Sequence, residues 1–462
     1  MTIQELHEES TTVFKRAFGI GMAFIGLIVG AGFASGREML QFFVAFGAVG
    51  ILGALIASLI MTFIAVAALQ LGSHVQAKEH VAVFRQVSHP LIARFLDVTT
   101  VITLFAIGFV MFAGGGANMA QQFGWPVWVG AASTLVAVLV SGMFNVDKVA
   151  RLIGLITPFL IVFLVGISAW TLATAEYDFA ALDLAARTVP TSLPNWWLAA
   201  LNYVGLCAIS GVSMTIVIGG SMLDSRTAGL GGLIGGGIFL LLLMLAVLAL
   251  FLSSEFVGDA ELPMLALVNR VHPVLGTAMS IVVFGMIFNT ALAMFYALGK
   301  RLTRSRPDRF RTVYVAVVLL GFALSFVGFR DLVAYVYPAL GYLGLILIGV
   351  MAAGWVRGRS HLSAEARRRL HLRRLAARRL DPRHDFAPMH ADLVQRLSGE
   401  SHISDAELHA ALIARTETAL KKDPDVEYDP LPSEADASAI LTQAEWPEKS
   451  QDRSGSPEKP EP

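Results

Sequence analysis

Long apolar runs alternate with short polar breaks from the start of the chain to about residue 356. Each run approaches the roughly 20 residues that an α-helix needs to cross about 30 Å of hydrocarbon. The runs are continuous and long, whereas strands of a membrane barrel alternate apolar and polar residues. The pattern therefore predicts an all-α polytopic membrane protein with ten transmembrane helices. These begin near Phe18, Gly50, Val98, Val127, Leu152, Trp197, Gly229, Val274, Val313 and Leu332.

Composition narrows the class of protein. Charged residues make up 15% of the 462 residues, against roughly 25% in a soluble domain, which argues against a soluble enzyme or a nucleic-acid-binding protein. The single cysteine, Cys207, excludes an intramolecular disulfide and a metal site with several cysteines. The sequence contains no recognisable catalytic triad, phosphate loop or paired-carboxylate site. We therefore predict a protein that is not an enzyme, has no cofactor and has the lipid bilayer and a small molecule as its partners.

Charge divides the chain and orients it. Polar composition predicts a cytoplasmic N-terminal segment (1–16), a transmembrane domain (17–356), an Arg-rich and helical cytoplasmic tail (357–420) and a disordered acidic tail (421–462). With the N-terminus inside, the cytoplasmic connections of the transmembrane domain carry fourteen Lys and Arg and the outer connections four. Basic residues concentrate on the cytoplasmic side of membrane proteins. Both termini are therefore predicted to be cytoplasmic.

The first apolar run is too long for one straight helix. Residues 18–49 would measure about 48 Å as a continuous helix, and the middle of the run is rich in glycine. Glycine weakens a helix by about 1 kcal/mol relative to alanine, and backbone freed at membrane depth must face protein or a polar cavity. We predict a discontinuous helix with an unwound segment at Gly30–Ser35 and a second half from Gly36 to Phe46. The alternative is a tilted helix with a charged pair, Arg37 and Glu38, at the outer interface.

The sixth run has a similar interruption. Small and hydroxyl residues crowd Tyr203–Thr215, including Ser210, Gly211 and Ser213. Runs one and six hold matching places in two halves of five, and interrupted segments at matching places indicate a transporter binding site. The alternative is close helix packing through small residues. The predicted solute site comprises Gly30, Ala31, Gly32, Phe33, Ser35, Ser210, Gly211 and Ser213.

Four segments resemble a known family. They are Val29–Phe43 (VGAGFASGREMLQFF), Met111–Gly124, Phe288–Leu302 and Val336–Leu345, and they are similar to the YkvI-type bacterial membrane proteins. That family is similar to the amino acid–polyamine–organocation transporter superfamily. The resemblance implies the LeuT fold, a five-plus-five inverted repeat with discontinuous helices one and six. It also implies a substrate cavity between helices one, three, six and eight, and residence in the bacterial plasma membrane.

The resemblance also implies ion-coupling and gating positions. Asn289 and Thr290 match the helix-eight position where sodium-coupled relatives bind Na⁺, and a hydrogen bond between helices is the alternative. Arg37 matches an outer-gate arginine, for which Asp331 is the expected partner, and two solvated interface charges are the alternative.

Glu38 is the main acid inside the apolar body of the chain. A charge near the bilayer centre costs about 2.5–3.5 kcal/mol on insertion scales, so it is expected to have a partner or a function. We predict either a proton-coupling group or a structural acid that forms an ion pair or a hydrogen bond.

Two classes of function remain. The first is a secondary active transporter that moves a small organic solute, such as an amino acid, by alternating access coupled to Na⁺ or H⁺. The second is a non-transporting membrane sensor or scaffold that acts through its cytoplasmic tail. The doubled helix interruption favours the transporter, because a scaffold has no use for it.

Overall fold

The computed structural model describes residues 3–77, 90–143, 156–174, 178–401, 404–421 and 436–443, together with Val426 and Leu431. Regular secondary structure in these ranges is entirely helical. The chain forms two compact units. The first unit contains Met1–Ser73 and Ala77–Gly358, and the second contains His74–Gln76 and Arg359–Pro462.

The described residues form eighteen α-helices. In chain order they are α1 (Ile3–Ile28), α2 (Ala31–Ser35), α3 (Arg37–Phe42), α4 (Ala48–Val75), α5 (Pro90–Phe123), α6 (Val127–Met143), α7 (Ile156–Thr174), α8 (Phe179–Arg187), α9 (Trp196–Gly220), α10 (Ser225–Leu252), α11 (Ser254–Val257), α12 (Pro263–Val271), α13 (Pro273–Leu302), α14 (Phe310–Leu324), α15 (Phe329–Leu380), α16 (Pro388–Gly399), α17 (Asp405–Leu420) and α18 (Ala437–Thr442).

The first unit has the surface of a membrane protein. Within the described residues, eight helices are long and apolar enough to cross a bilayer, and α6 is a shorter apolar helix of 17 residues. Large apolar side chains on these helices point outward, such as Phe159, Val162 and Ile281, which are 61%, 69% and 67% exposed. Exposed apolar surface of this extent marks contact with another apolar phase. The chain is therefore a multi-pass α-helical membrane protein.

Glycines bring several of these helices into backbone contact. A Cβ atom on Gly205 of α9 would overlap the carbonyl oxygen of Gly341 in α15, and one on Gly219 would overlap that of Leu69 in α4. Small residues allow such close approach in membranes, where helices pack without a hydrophobic driving force between them. The close contact of α9 with α4 and α15 fixes the position of the helix that forms one wall of the site described below.

A proline bends α15 and frees a carbonyl group. Pro338 lies inside the helix and has no N–H, so the carbonyl of Ala334 loses its usual donor. Gln41 Nε2 and Ser192 Oγ donate to this oxygen at 3.2 and 2.5 Å. Asn202 Nδ2 of α9 donates to the carbonyl of Pro338 at 2.9 Å. Polar side chains from three other segments thus stabilise the bend.

The second unit is held by buried polar contacts. Glu365 accepts hydrogen bonds from Arg369 Nε at 2.9 Å and Ser401 Oγ at 2.6 Å. His409 of α17 contacts Ser398 Oγ at 2.7 Å and Ser438 Oγ at 3.1 Å. These contacts connect the end of α15 to the loop after α16, and α17 to both α16 and α18.

One expectation for the tail is wrong. Composition predicts disorder throughout 421–462, but Ala437–Thr442 forms a helix. The carboxylate of Asp436 accepts from the N–H groups of Ser438 and Ala439, and Ile440 and Leu441 are buried. A capped apolar turn is too short to be detected from the average composition of the tail. The other residues of the acidic tail lie outside the described part, apart from Lys421, Val426, Leu431, Asp436 and Gln443.

The second unit is expected to loosen at acid pH. Burial lowers the pKa of His409 below its usual value, because the imidazolium would lose its hydration. The unfolded state therefore binds a proton more readily, so stability present above about pH 6.5 is lost as the pH falls. We expect amide hydrogen exchange in α16–α18 to be faster at pH 5.5 than at pH 7.5, after correction for the intrinsic exchange rates at each pH. The difference should shrink in His409→Gln, and equal protection at both pH values would contradict the expectation.

Candidate functional site

The first membrane helix is interrupted twice. Helix α1 ends at Ile28, Gly30 is extended with φ −98° and ψ −163°, and Gly36 has φ 76° in the left-handed region. The predicted discontinuity is therefore present, but the prediction that all of Gly30–Ser35 is unwound is wrong, since Ala31–Ser35 forms α2. Five residues suffice for a helical turn between the two glycine breaks, and Ser35 Oγ donates to the carbonyl of Gly32 at 2.7 Å.

The predicted interruption of helix six is also wrong. Helix α9 is continuous from Trp196 to Gly220. Ser210 Oγ and Thr215 Oγ1 donate to the carbonyls of Cys207 and Gly211 within the same helix. A Cβ atom on Gly211 would overlap Ile28 Cδ1. The small residues of α9 therefore serve close packing, which was the alternative reading.

A cavity of about 420 Å³ lies beside the break in the first unit. Its walls come from α1–α3, α5, α9, α13 and α15. Nine predicted site residues line it: Gly30, Ala31, Gly32, Phe33, Glu38, Ser210, Ser213, Asn289 and Thr290. The predicted site residues Ser35, Gly211, Arg37 and Asp331 lie outside the lining. The structure thus brings the interrupted helix, Glu38 and the predicted ion-coupling pair to one chamber.

The carboxyl group of Glu38 lies against Gly32. A Cβ atom on Gly32 would overlap Glu38 Oε1 and lie 2.5 Å from Cδ, so only glycine leaves room for the carboxyl group there. The side chains of Tyr203, Cys207 and Tyr337 lie near this carboxyl group. Glu38 is therefore surrounded by neutral side chains.

Tyr203 is held rigidly in α9. It is 1% exposed, and its ring packs against Phe42 at 5.4 Å and Phe43 at 5.0 Å between centroids. Sequence reasoning missed Tyr203 and Tyr337 as site residues. A tyrosine within an apolar run was the available signal, because a buried hydroxyl requires a partner.

Asn289 and Thr290 lie opposite the first break. Thr290 Oγ1 is 3.6 Å from the position that a Cβ atom on Gly30 would occupy. Both residues of α13 line the cavity. The hydroxyl oxygen of Thr290 therefore lies next to extended backbone of the first helix, and the role of Asn289 and Thr290 in ion coupling stays a prediction.

One end of the cavity is closed by α12 and the loop before it. Met264 is 1% exposed and its Cγ would lie 2.6 Å from a Cβ atom on Gly36. Gln121 of α5 pairs with the backbone of Leu262, donating at 2.9 Å and accepting at 2.8 Å. Arg37 Nη1 donates to the carbonyl of Ala260 at 3.2 Å. These contacts cover the cavity beyond Glu38.

The other end leads to charged, exposed residues. The cavity lining on α13 runs from Met286 to Arg301, about 22 Å along the helix. Arg301 forms an ion pair with Asp97 of α5, whose side chain is 53% exposed. This end lies at the Arg-rich connection after α13, which the charge distribution predicts to be cytoplasmic. This end of the cavity therefore leads to exposed residues, whereas the end at Glu38 is packed against buried ones.

The structure does not bring Arg37 and Asp331 into contact. Arg37 is 1% exposed, and the charges of Arg330, Glu261, Asp259 and Asp331 lie within electrostatic range of it. Among the described residues, Arg37 Nε and Glu261 Oε2 are both buried without a hydrogen-bond partner. Glu261 is thus a stronger electrostatic partner for Arg37 than Asp331 is.

A mutant cycle distinguishes the two partners of Arg37. We expect Arg37→Ala and Glu261→Ala each to change how readily a membrane-impermeant thiol reagent reaches the closed end, and their effects should not add in the double mutant. The effects overlap because both substitutions remove the same interaction. The reporter is a cysteine at Ala34 in a Cys207→Ala background. Arg37→Ala with Asp331→Ala should be additive, and coupling in that second cycle alone would contradict the assignment.

No group of three or more His, Cys, Asp or Glu side chains within the described ranges is placed to hold a metal ion. The chemistry available in the cavity is therefore the carboxyl group of Glu38, the guanidinium group of Arg301 at the far end, neutral hydroxyl, thiol and amide groups, and apolar walls.

Comparison with known proteins finds two uncharacterised relatives that the chain covers over most of their length. No protein-family model matches it. It is 24% identical over 335 residues to the uncharacterised membrane protein YkvI of Bacillus subtilis (strain 168), covering 72% of this chain and 94% of YkvI. It is 26% identical over 325 residues to the uncharacterised protein YyaD of the same organism, covering 70% and 92%.

Solved structures agree with this result. The crystal structure of MhsT in complex with L-phenylalanine matches with a TM-score of 0.54 and 18% sequence identity, covering 76% of this chain and 91% of MhsT. MhsT is a LeuT-fold protein. The resemblance to YkvI-type membrane proteins that the Val29–Phe43 segment indicates is thus confirmed, and the chain has the LeuT fold.

Proposed function

We propose that this chain is a secondary active transporter that moves a small organic solute across the membrane by alternating access. One observation carries the proposal: a cavity large enough for a small molecule lies at the broken first helix. Broken helices beside such a cavity are typical of transporters that rock around a fixed site. A scaffold or sensor would not require such a chamber, so the alternative is not favoured.

The finer architecture belongs to the same proposal. Ten spans would form a five-plus-five inverted repeat, with α1–α3 as the first span and α9 as its counterpart. The bias of basic residues would place both termini in the cytoplasm of a bacterium and the open end of the cavity inside. The state described is then inward-facing, with α12 closing the outer side.

Two features support coupling to an ion. Asn289 and Thr290 supply oxygen atoms opposite the break at Gly30, as a Na⁺ site would require. Glu38 supplies an ionisable group in the same chamber, as H⁺ coupling would require. MhsT was crystallised with an amino acid, which supports a solute of that size.

Uptake into proteoliposomes tests the proposal. We expect the purified full chain to accumulate at least one solute from a library of amino acids, amines and organic acids, driven by a Na⁺ or pH gradient. Thr290→Val should abolish the stimulation of uptake by Na⁺ and leave uptake driven by a pH gradient intact. The exposed hydroxyl variant Ser133→Ala, outside the cavity, is the matched control. Absence of any gradient-driven accumulation would contradict the transporter proposal.

A further inference from the structure

The inner part of the cavity contains a carboxyl group, that of Glu38, for which the described residues supply no basic partner. Tyr203 and Cys207 of α9 and Tyr337 of α15 are the titratable side chains that face Glu38. Within the part of the chain that the structure describes, no lysine or arginine forms an ion pair with Glu38. Arg37, its neighbour in sequence, points towards Ala260 instead. A buried carboxyl group in neutral surroundings either keeps its proton or pairs with a positive charge from outside the protein.

The elements packed around α3 do not supply that charge. Helix α10 contains one titratable residue, Arg226, in its first turn, and α13 contributes Asn289 and Thr290 to this part of the cavity. On the other side of α3, Asp259 and Glu261 act on Arg37 rather than on Glu38. Arg301 lies at the far end of the cavity and is paired with Asp97.

The remaining walls are apolar and polarisable. Thioether and aliphatic side chains from several helices face the cavity: Met111, Met214, Met286, Met294, Leu104 and Leu206. Methionine adapts its shape to flat or irregular apolar ligands. These walls bind an apolar body and cannot coordinate an inorganic cation, which prefers several oxygen ligands.

Glu38 also determines which charged group a solute can place here. Its carboxyl group fills the space beside Gly32, at the beginning of α2. In a LeuT-fold site with glycine-exposed backbone, an anionic group would approach this helix end. Here such a group would meet the carboxyl group of Glu38, and like charges at this distance repel each other.

Resting on the transporter function proposed above, we propose that the solute is an organic amine cation with an apolar body and no carboxylate, and that its ammonium group exchanges with a proton on Glu38. In the exchange, the O–H bond of the protonated carboxyl group breaks and the proton passes to water. The ammonium group then pairs with the carboxylate. The amine and the proton occupy one site in turn, so transport is an exchange of one for the other.

Matched ligand pairs test the charge preference. The probes are butylamine with norvaline, phenethylamine with phenylalanine, and tryptamine with tryptophan, because each pair shares an apolar body and differs by one carboxylate. Binding to the purified full chain is measured by calorimetry. We expect at least one amine to bind, and each binding amine to bind at least about tenfold more tightly than its partner. Preference for the amino acid, or binding by neither member of any pair, would overturn the inference.

Proton release tests the exchange. In weakly buffered solution with a pH-indicator dye, binding of the preferred amine should release up to one proton per amine. Its apparent affinity should rise about tenfold per pH unit while Glu38 is protonated. Glu38→Gln should abolish proton release, and Glu38→Asp should retain it with altered affinity. Glu255→Gln, an exposed acid outside this cavity, is the control and should behave like the unchanged protein. Binding without proton release would overturn the exchange.

Failure here can be separated from failure of the transporter function. A protein that accumulates amino acids or organic acids in proteoliposomes but no amine contradicts the inference and leaves the proposed function intact. A protein that accumulates no solute of any class contradicts both.

Discussion

Replacing Gly32 by alanine is expected to reduce solute uptake at least tenfold while leaving the protein folded. The added Cβ atom would occupy the position of Glu38 Oε1, so the carboxyl group must move out of its place beside α2. The group that must move is the end of a flexible side chain rather than backbone, so the change is cheap for folding. A tenfold loss corresponds to about 1.4 kcal/mol, which displacement of a charged group from its ligand readily exceeds.

The measurement is uptake into proteoliposomes together with the thermal midpoint of the purified protein. Gly19→Ala is the matched control, because Gly19 lies in the same first helix, has open space around its Cβ position and is outside the cavity lining. That control should retain uptake. Full activity of Gly32→Ala would mean that the position of Glu38 beside Gly32 has no role in transport.

The sequence allowed the break in the first helix to be predicted, because local chemistry determines it. A largely apolar run of 32 residues cannot fit the bilayer as one helix, and Gly30 and Gly36 are where the chain departs from helical geometry. The extent of the break was not predictable. Whether Ala31–Ser35 unwinds depends on the surroundings of five buried residues, and those surroundings come from distant parts of the chain.

Helix α9 shows why glycine content alone misleads. Gly205 and Gly211 resemble a weak point in the sequence, but they make room for Gly341 and Ile28 of other helices. Unwinding and close packing require the same small residues. Only the position of the partner helix distinguishes them, and a single sequence does not contain that position.

Only part of the site could be predicted, because a single sequence does not contain the tertiary contacts that complete it. Glu38 could be identified because a charge in an apolar run is conspicuous. Tyr203 and Tyr337 complete its surroundings from positions 165 and 299 residues further along the chain. The resemblance implied Asp331 as the partner of Arg37, but the structure favours Glu261. Pairings between charges depend on tertiary contacts, which the pattern of residues does not determine.

The packing of α9 leads to the largest expected loss of stability. Gly205→Ala would place a Cβ atom onto the carbonyl oxygen of Gly341 and within 3.0 Å of its carbon atom. Backbone atoms cannot yield as side chains do, so α9 and α15 must separate. Overpacking of this kind costs about 1–3 kcal/mol, which outweighs the roughly 0.5–1 kcal/mol that alanine gains over glycine in a helix.

Gly349→Ala on α15 isolates the packing effect. Gly349 is exposed and has nothing within 4 Å of its Cβ position, so alanine there should leave the thermal midpoint unchanged or raise it slightly. Gly205→Ala should lower the midpoint by several degrees in the same detergent. If α9 were unwound, Gly205→Ala would raise the thermal midpoint instead, because the added Cβ atom would meet no backbone and alanine would only favour helix formation. The sign of the shift at Gly205 relative to Gly349 therefore decides between a continuous, closely packed helix and a broken one.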